Sequence, residues 1–191
     1  MPHCENDSPK TITIGGINYK FLPSESNTHY IGIASQQIIK IQNRRHENKL
    51  RTLDQEAEVV RYLNNQGCIS CPRLFEHGKL DDGRPYFIEE RILPQGKAVL
   101  GDILLALFEQ KQLGVYQGDL HPGNIIFDGE TTYLIDYDQA IMSEELINMG
   151  EIEFLNWVSH QKIPAYVLER EKIDSGYADL MRLLSRLPRH L

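Results

Sequence analysis

The hydrophobic pattern of this chain differs between its two halves. Up to Ile92 the apolar residues mostly alternate or gather in short β-branched runs, and from Leu100 onward they recur mainly at helical spacing. A chain patterned in this way is restricted to an α+β fold, with a mostly antiparallel sheet from its first half and helices from its second. Ile12 and Ile14, then Ile17, Tyr19 and Phe21, flank Gly15-Gly16, which predicts a hairpin. Residues 30–34 and 38–41 are two further short strands, and Asp82-Gly83 joins residues 73–80 to 86–92 in another hairpin. One helix, about residues 53–66, lies between these strands, with Gly67 just past its end.

In the second half, Leu100, Ile103, Leu104, Leu107 and Phe108 mark one apolar helix face, closed by Gly114. A polar loop is expected next, then strands at 124–127 and 132–135 about Asp128-Gly129. Phe154, Leu155 and Val158 predict a further helix, and Tyr177, Leu180, Met181 and Leu184 a last one. Leu93-Pro94-Gln95-Gly96 is the natural boundary, dividing residues 11–92 from 97–191, with 1–10 read as a flexible tail.

With 191 residues, such a chain hides about 70% of its unfolded surface, so neither disulfides nor a structural metal is needed for a core. The net charge of −7 argues against nucleic acid or anionic lipid as partners. Apolar runs such as residues 103–108 fall far short of the roughly 18 residues of a membrane span, and the polar start does not resemble a secretory signal. The expected location is the cytoplasm. Three cysteines fit a reducing compartment. Cys68-Ile-Ser-Cys71 reads as buried thiols in a turn ahead of Pro72; zinc would need two further ligands from scattered residues such as His77.

The chemistry-bearing stretch is residues 114–140, GVYQGDLHPGNIIFDGETTYLIDYDQA. Asn124 lies five residues after Asp119, and Asp136 leaves the second strand of the hairpin, which can return it towards Asn124. A carboxylate and an amide oxygen meeting there suit Mg²⁺, a hard cation that completes its shell with phosphate and water. Asp119 is then available to orient an attacking hydroxyl. By spacing alone, an Asp followed by an Asn in a turn is usually just turn chemistry.

GDLHPGNIIFD followed by LIDYD resembles the catalytic loop and metal-binding strand of the protein-kinase-like superfamily, in particular the bacterial lipopolysaccharide kinases, aminoglycoside and choline phosphotransferases and small atypical kinases. The resemblance implies a minimal bilobal fold with residues 93–96 as the hinge. The N-lobe would be a small antiparallel sheet with one helix, and the C-lobe a reduced helical one. It makes Asp119 the catalytic aspartate, and Asn124 and Asp136 the metal ligands, Asp136 opening Asp136-Tyr137-Asp138 where the family has Asp-Phe-Gly. Lys40, inside the apolar strand Ile38-Ile39-Lys40-Ile41, resembles the lysine that holds the α- and β-phosphates. Glu56 shares a helix face with Val60 and Leu63 while Glu58 points away, so Glu56 fits the partner of that lysine. Each also has a plain reading, a snorkelling strand-end lysine and a helix-start glutamate favoured by the dipole. Residues 86–91 resemble the strand entering the hinge, where backbone groups of Glu90, Arg91 and Ile92 would meet adenine; otherwise they form an edge strand.

The chain departs from the family in several places. Ser24-Glu25-Ser26-Asn27-Thr28 stands where a Gly-rich loop belongs, with only Gly32 beyond. Gln117-Gly118 replaces His-Arg, His121 replaces the lysine two residues after the aspartate, and no Ala-Pro-Glu element follows Asp136. The expected activity is ATP- and Mg²⁺-dependent transfer of the γ-phosphoryl group to a hydroxyl of a sugar, a lipid-linked sugar or another small acceptor. A small atypical Ser/Thr protein kinase acting on a specific folded protein is the first alternative, and a pseudokinase-type binding module the second.

Overall fold

The computed structural model describes residues 11–22, 29–43, 52–161 and 175–186. They fall into two compact units. The described residues up to Ala57, with Arg73–Arg91, form the first; Glu58–Pro72 and the described residues from Ile92 form the second. The expected tail, and the stretch at 24–28 that stands for a Gly-rich loop, lie outside the described residues.

The first unit is a six-stranded antiparallel sheet in the order β1-β2-β3-β4-β6-β5. β1 (Thr11–Ile14) and β2 (Ile17–Phe21) turn at Gly15-Gly16, whose φ angles of 56° and 80° are those of the two-residue hairpin turns that match strand twist. β3 (His29–Ile33) and β4 (Gln37–Gln42) follow, and β5 (Leu74–Lys79) and β6 (Pro85–Glu90) form the last hairpin. Strand alternation sorts β4 and β6. Ile39, Ile41, Tyr86 and Ile88 join Tyr19 and Phe21 in one apolar cluster, which leaves Lys40 and Phe87, directly paired across the strands, for the other face. Gly32 lies in β3; a Cβ there would come within 2.7 Å of Ile39, so it serves sheet packing.

Helix α1 (Leu53–Asn65) starts against that second face. Leu53 and Ala57 pack on Phe87, and the Gln42 side chain accepts the Leu53 N–H at 2.9 Å, satisfying one of the orphan donors of the first turn. His77 on β5 meets Asp54 at 2.7 Å. The helix entry is therefore fixed to β4 two residues beyond Lys40.

The second unit is built on α2 (Leu100–Gln112), whose Ile103, Ala106 and Leu107 are buried. A correction concerns the expected polar loop after Gly114. It begins with β7 (Val115–Tyr116), fully buried and paired antiparallel with β10 (Ile141–Met142). Two-residue strands are too short to show alternation, so this pairing left no periodic trace. A 3₁₀ turn (Pro122–Asn124) leads into β8 (Ile125–Phe127), which pairs with β9 (Thr132–Leu134). α3 (Glu144–Asn148), capped by the Ser143 hydroxyl, is followed by α4 (Glu151–Ser159) and α5 (Ser175–Arg186). Tyr116, Phe154 and Trp157 pack edge-on or stacked, with centroids 5.2–6.2 Å apart. Among the described residues, no helix is long and apolar enough to cross a membrane.

Candidate active site

In the first unit, Lys40 Nζ lies 2.6 Å from Glu56 Oε1 and 3.6 Å from Glu89 Oε1, and 5.3 Å above the Phe87 ring. Lys40 and Glu56 are 5% and 1% exposed. Three positions create the cluster. β4 alternation turns Lys40 off the apolar cluster; Glu89 is its diagonal cross-strand neighbour on β6; and the Gln42 cap sets the first turn of α1 so that Glu56 faces it. Glu89 is not among the site residues expected from the sequence, where it falls in the run entering the hinge. Its signal was its alternation with Phe87, which becomes readable once β6 is placed beside β4.

At the end of β6, two of the backbone donors expected to face adenine are already engaged. The Glu90 N–H donates to Arg73 O at 2.8 Å and the Arg91 N–H to Gln36 O at 3.0 Å. Arg91 also donates from its guanidinium to Ala34 O. The expected role of Glu90 and Arg91 can therefore rest only on their carbonyls.

In the second unit, Gln117, fully buried, sits at the centre of the loop. Its Nε2 donates to Ile135 O at 2.8 Å and to Asp136 O at 2.7 Å, while its Oε1 accepts the Asp119 N–H at 2.9 Å. Asn124 Nδ2 donates to Asp119 O at 3.0 Å, and the Ile135 N–H donates to Asn124 O at 3.0 Å. Asp119, Asn124 and Asp136 thus belong to one hydrogen-bonded assembly. With Nδ2 committed, Oδ1 is the atom of Asn124 suited to a cation. Asp136 has φ 63°, the left-handed region that costs a non-glycine residue about 1–2 kcal/mol, and the bond from Gln117 to its carbonyl helps to hold it. Gly118, at φ 91°, lies so close to the segment after Asp138 that a Cβ would stand 2.0 Å from Gln139 O. Tyr177 on α5 donates from its hydroxyl to Leu120 O at 3.1 Å.

His121 is oriented from both sides. Its Nδ1 accepts the Gly123 N–H at 3.0 Å, and its Nε2 stands 3.5 Å from Asp119 Oδ2. Burial, reinforced by the charge of Asp119, raises the Tyr116 hydroxyl well above the ordinary range, so it stays protonated beside the loop. Gln117 was noted in the sequence as a departure from the family. Its type, an amide with two donors and an acceptor wedged between buried Val115-Tyr116 and a glycine, is the signal that marks it as a bridge.

Cys68 and Cys71 are free thiols, both buried, and burial pushes the Cys68 thiol up to about 11. Among the described residues, no three His, Cys, Asp or Glu side chains gather as a metal centre. Both thiols are buried in the turn before Pro72.

No family model matches the sequence, and no curated protein matches it. Solved structures share its fold. WbdD, described as a bifunctional kinase-methyltransferase, superposes with a TM-score of 0.53 at 14% identity over 94% of this chain and 49% of its own. A complex of WbdD with the kinase inhibitor LY294002 gives 0.46 at 15% identity, covering 94% and 48%. The PK-1 kinase of Cydia pomonella granulovirus gives 0.47 at 15% identity, covering 66% and 53%. The chain spans about half the length of the solved proteins it matches. At these identities the shared property is the fold, and the fold is α+β and protein-kinase-like.

Proposed function

We propose that this chain is a kinase-type phosphotransferase that moves the γ-phosphoryl group of ATP, with Mg²⁺, to a hydroxyl. The observation that carries the reading is the assembly around Gln117, which ties together the backbones of Asp119, whose carboxylate stands beside His121, and Asp136, with the Asn124 side chain bonded to the Asp119 carbonyl. Two hard oxygen donors fit Mg²⁺, which leaves its remaining positions to phosphate and water. The ion would supply charge neutralisation at the phosphoryl oxygens, and Asn124 and Asp136 would hold it. Asp119 orients the acceptor hydroxyl and receives its proton as the acceptor oxygen bonds to phosphorus and the bond to the β-phosphate oxygen breaks, releasing ADP.

Lys40, held by Glu56 and Glu89, neutralises phosphate oxygens in this reading. Burying three charges inside an apolar sheet is costly unless the arrangement serves something beyond stability. Backbone carbonyls of Glu90 and Arg91, and the backbone of Ile92, are the groups left for adenine. The acceptor is a sugar, a lipid-linked sugar or a specific folded protein rather than an extended peptide. The segment after Asp138 supports this, because it returns at once to pair as β10 with β7 and then enters α3, leaving no ledge for a peptide backbone. Free buried thiols suit a cytoplasmic protein.

Thermal unfolding with ATP and Mg²⁺, against ATP with chelator, tests the nucleotide site. At a hundredfold excess over Kd the metal-dependent gain should be about 2.7 kcal/mol. Asp136→Ala should remove the metal-dependent part. Asp119→Ala should keep it and lower phosphotransfer by about 10²–10⁴-fold on an acceptor found by screening labelled ATP against pooled sugars, lipopolysaccharide and protein lysate. No shift in either condition at millimolar nucleotide would overturn the reading and favour a binding module.

A further inference from the structure

Leu105 and Ile69 are the two most exposed large apolar side chains among the described residues, at 71% and 69%, and they line the same groove. The groove, about 320 Å³, lies within the second unit between α2, the turn bearing Ile69 and Ser70, and the start of β9. Asp102, Leu105, Ala106 and Glu109 fall at i, i+3, i+4 and i+7 of α2 and so form one stripe along it. Leu105, exposed as it is, gains little for the fold, and an exposed apolar rim around a cavity marks an interaction site.

The walls are held in place. The N–H groups of Ile69 and Ser70 donate to Glu109 Oε1 and Oε2 at 2.8 and 2.9 Å, and the Leu134 N–H donates to Ser70 O at 2.9 Å. Asp102, Glu109 and Glu130 give the groove three carboxylates, and no lysine or arginine lines it. Burial would raise Glu109, but the donors from Ser70 and Ile69 outweigh it and keep the carboxyl below its ordinary value, hence charged. Thr132, 5% exposed, also lines the groove, and its buried hydroxyl has no hydrogen-bond partner.

From this combination we infer that the groove docks a short segment of a partner protein in which a lysine or arginine stands one or two residues from a leucine, isoleucine or methionine. The carboxylates take the cation and the Leu105 and Ile69 walls take the aliphatic side chain. Apolar walls on two sides favour a peptide over a bare amine. The docked partner is distinct in principle from the phosphoryl acceptor, and the proposal concerns binding alone, so it stands apart from the phosphotransferase reading.

The test uses the full chain and three fluorescent synthetic peptides, with cores Arg-Arg-Gly-Leu-Gly-Leu, Glu-Glu-Gly-Leu-Gly-Leu and Arg-Arg-Gly-Ser-Gly-Ser, read by anisotropy. The first should bind saturably and the other two at least about tenfold more weakly, with affinity falling as salt is raised. Leu105→Asp and Ile69→Ser, both at exposed positions, should each weaken the first peptide about tenfold or more without lowering the unfolding midpoint. Equal binding of the charge-reversed peptide, full competition by spermidine, insensitivity to both substitutions, or no binding of any peptide to folded protein would overturn the proposal. So would sedimentation showing that the groove is occupied by a second copy of the chain, dissociated by Leu105→Asp.

Discussion

Lys40 in the first unit and Gln117 in the second are both almost wholly buried polar side chains, and they organise their surroundings by different means. Lys40 works by charge, one ammonium between two carboxylates that no apolar sheet would otherwise accept. Gln117 works by neutral hydrogen bonds, each donor and acceptor assigned to a backbone group. A buried charge cluster adds little net stability but is expensive to break, whereas an amide bridge contributes through geometry and fails when a single donor is replaced.

The largest effect should come from breaking the charge cluster on one side. Lys40→Met leaves Glu56 and Glu89 buried without their cation and should cost about 3–5 kcal/mol in urea unfolding. The triple change Lys40→Met, Glu56→Leu and Glu89→Leu should recover most of that loss. A cost under about 1 kcal/mol for Lys40→Met would mean the carboxylates are solvated, and the contrast between the units would collapse.

Next comes the amide. Gln117→Ala orphans the Ile135 and Asp136 carbonyls and the Asp119 N–H, for an expected loss of about 2–4 kcal/mol. Gln117→Glu keeps the shape but removes both donors, so it should be at least as damaging; a harmless Gln117→Glu would show that the carbonyl contacts carry nothing.

A smaller effect separates close packing from backbone conformation. Gly118→Ala meets Gln139 O and a left-handed φ, and Gly129→Ala, at φ 105°, meets only ordinary contacts. The second should cost about 1 kcal/mol and the first clearly more. Equal midpoints in denaturant would remove the tight approach of Gly118 from the account. The smallest is chemical. With its thiol at about 11, Cys68 should be thiolate in about one molecule in a thousand at pH 8. Its alkylation by iodoacetamide should therefore be slow in the folded state and rise about tenfold per pH unit up to pH 10. Labelling at the rate of a free thiol at pH 8, seen by peptide mass mapping, would show the turn to be open.

Much of the frame was legible because local chemistry announces it. Gly15-Gly16, Asp82-Gly83 and Asp128-Gly129 sit at turns, and the spacing of Glu56 with Val60 and Leu63 placed that carboxylate on the buried face of α1. What escaped depends on partners distant in sequence. β7 and β10 are two residues each and meet across the whole loop, so no period betrays them. Glu89 joins Lys40 only because β6, the last strand of its unit, lies beside β4. Gln117 was visible as an anomaly, but its work depends on carbonyls 18 and 19 residues away.

The amide at position 117 has no ionisable proton. An imidazole holding the same backbone groups would titrate near ~6.5, and acidification would then loosen the link between Asp119 and Asp136. Here the link is indifferent to acidity throughout the range in which enzymes are assayed. Any pH dependence of stability measured on this chain therefore carries no contribution from titration of the bridge that Gln117 makes between the backbones of Asp119 and Asp136.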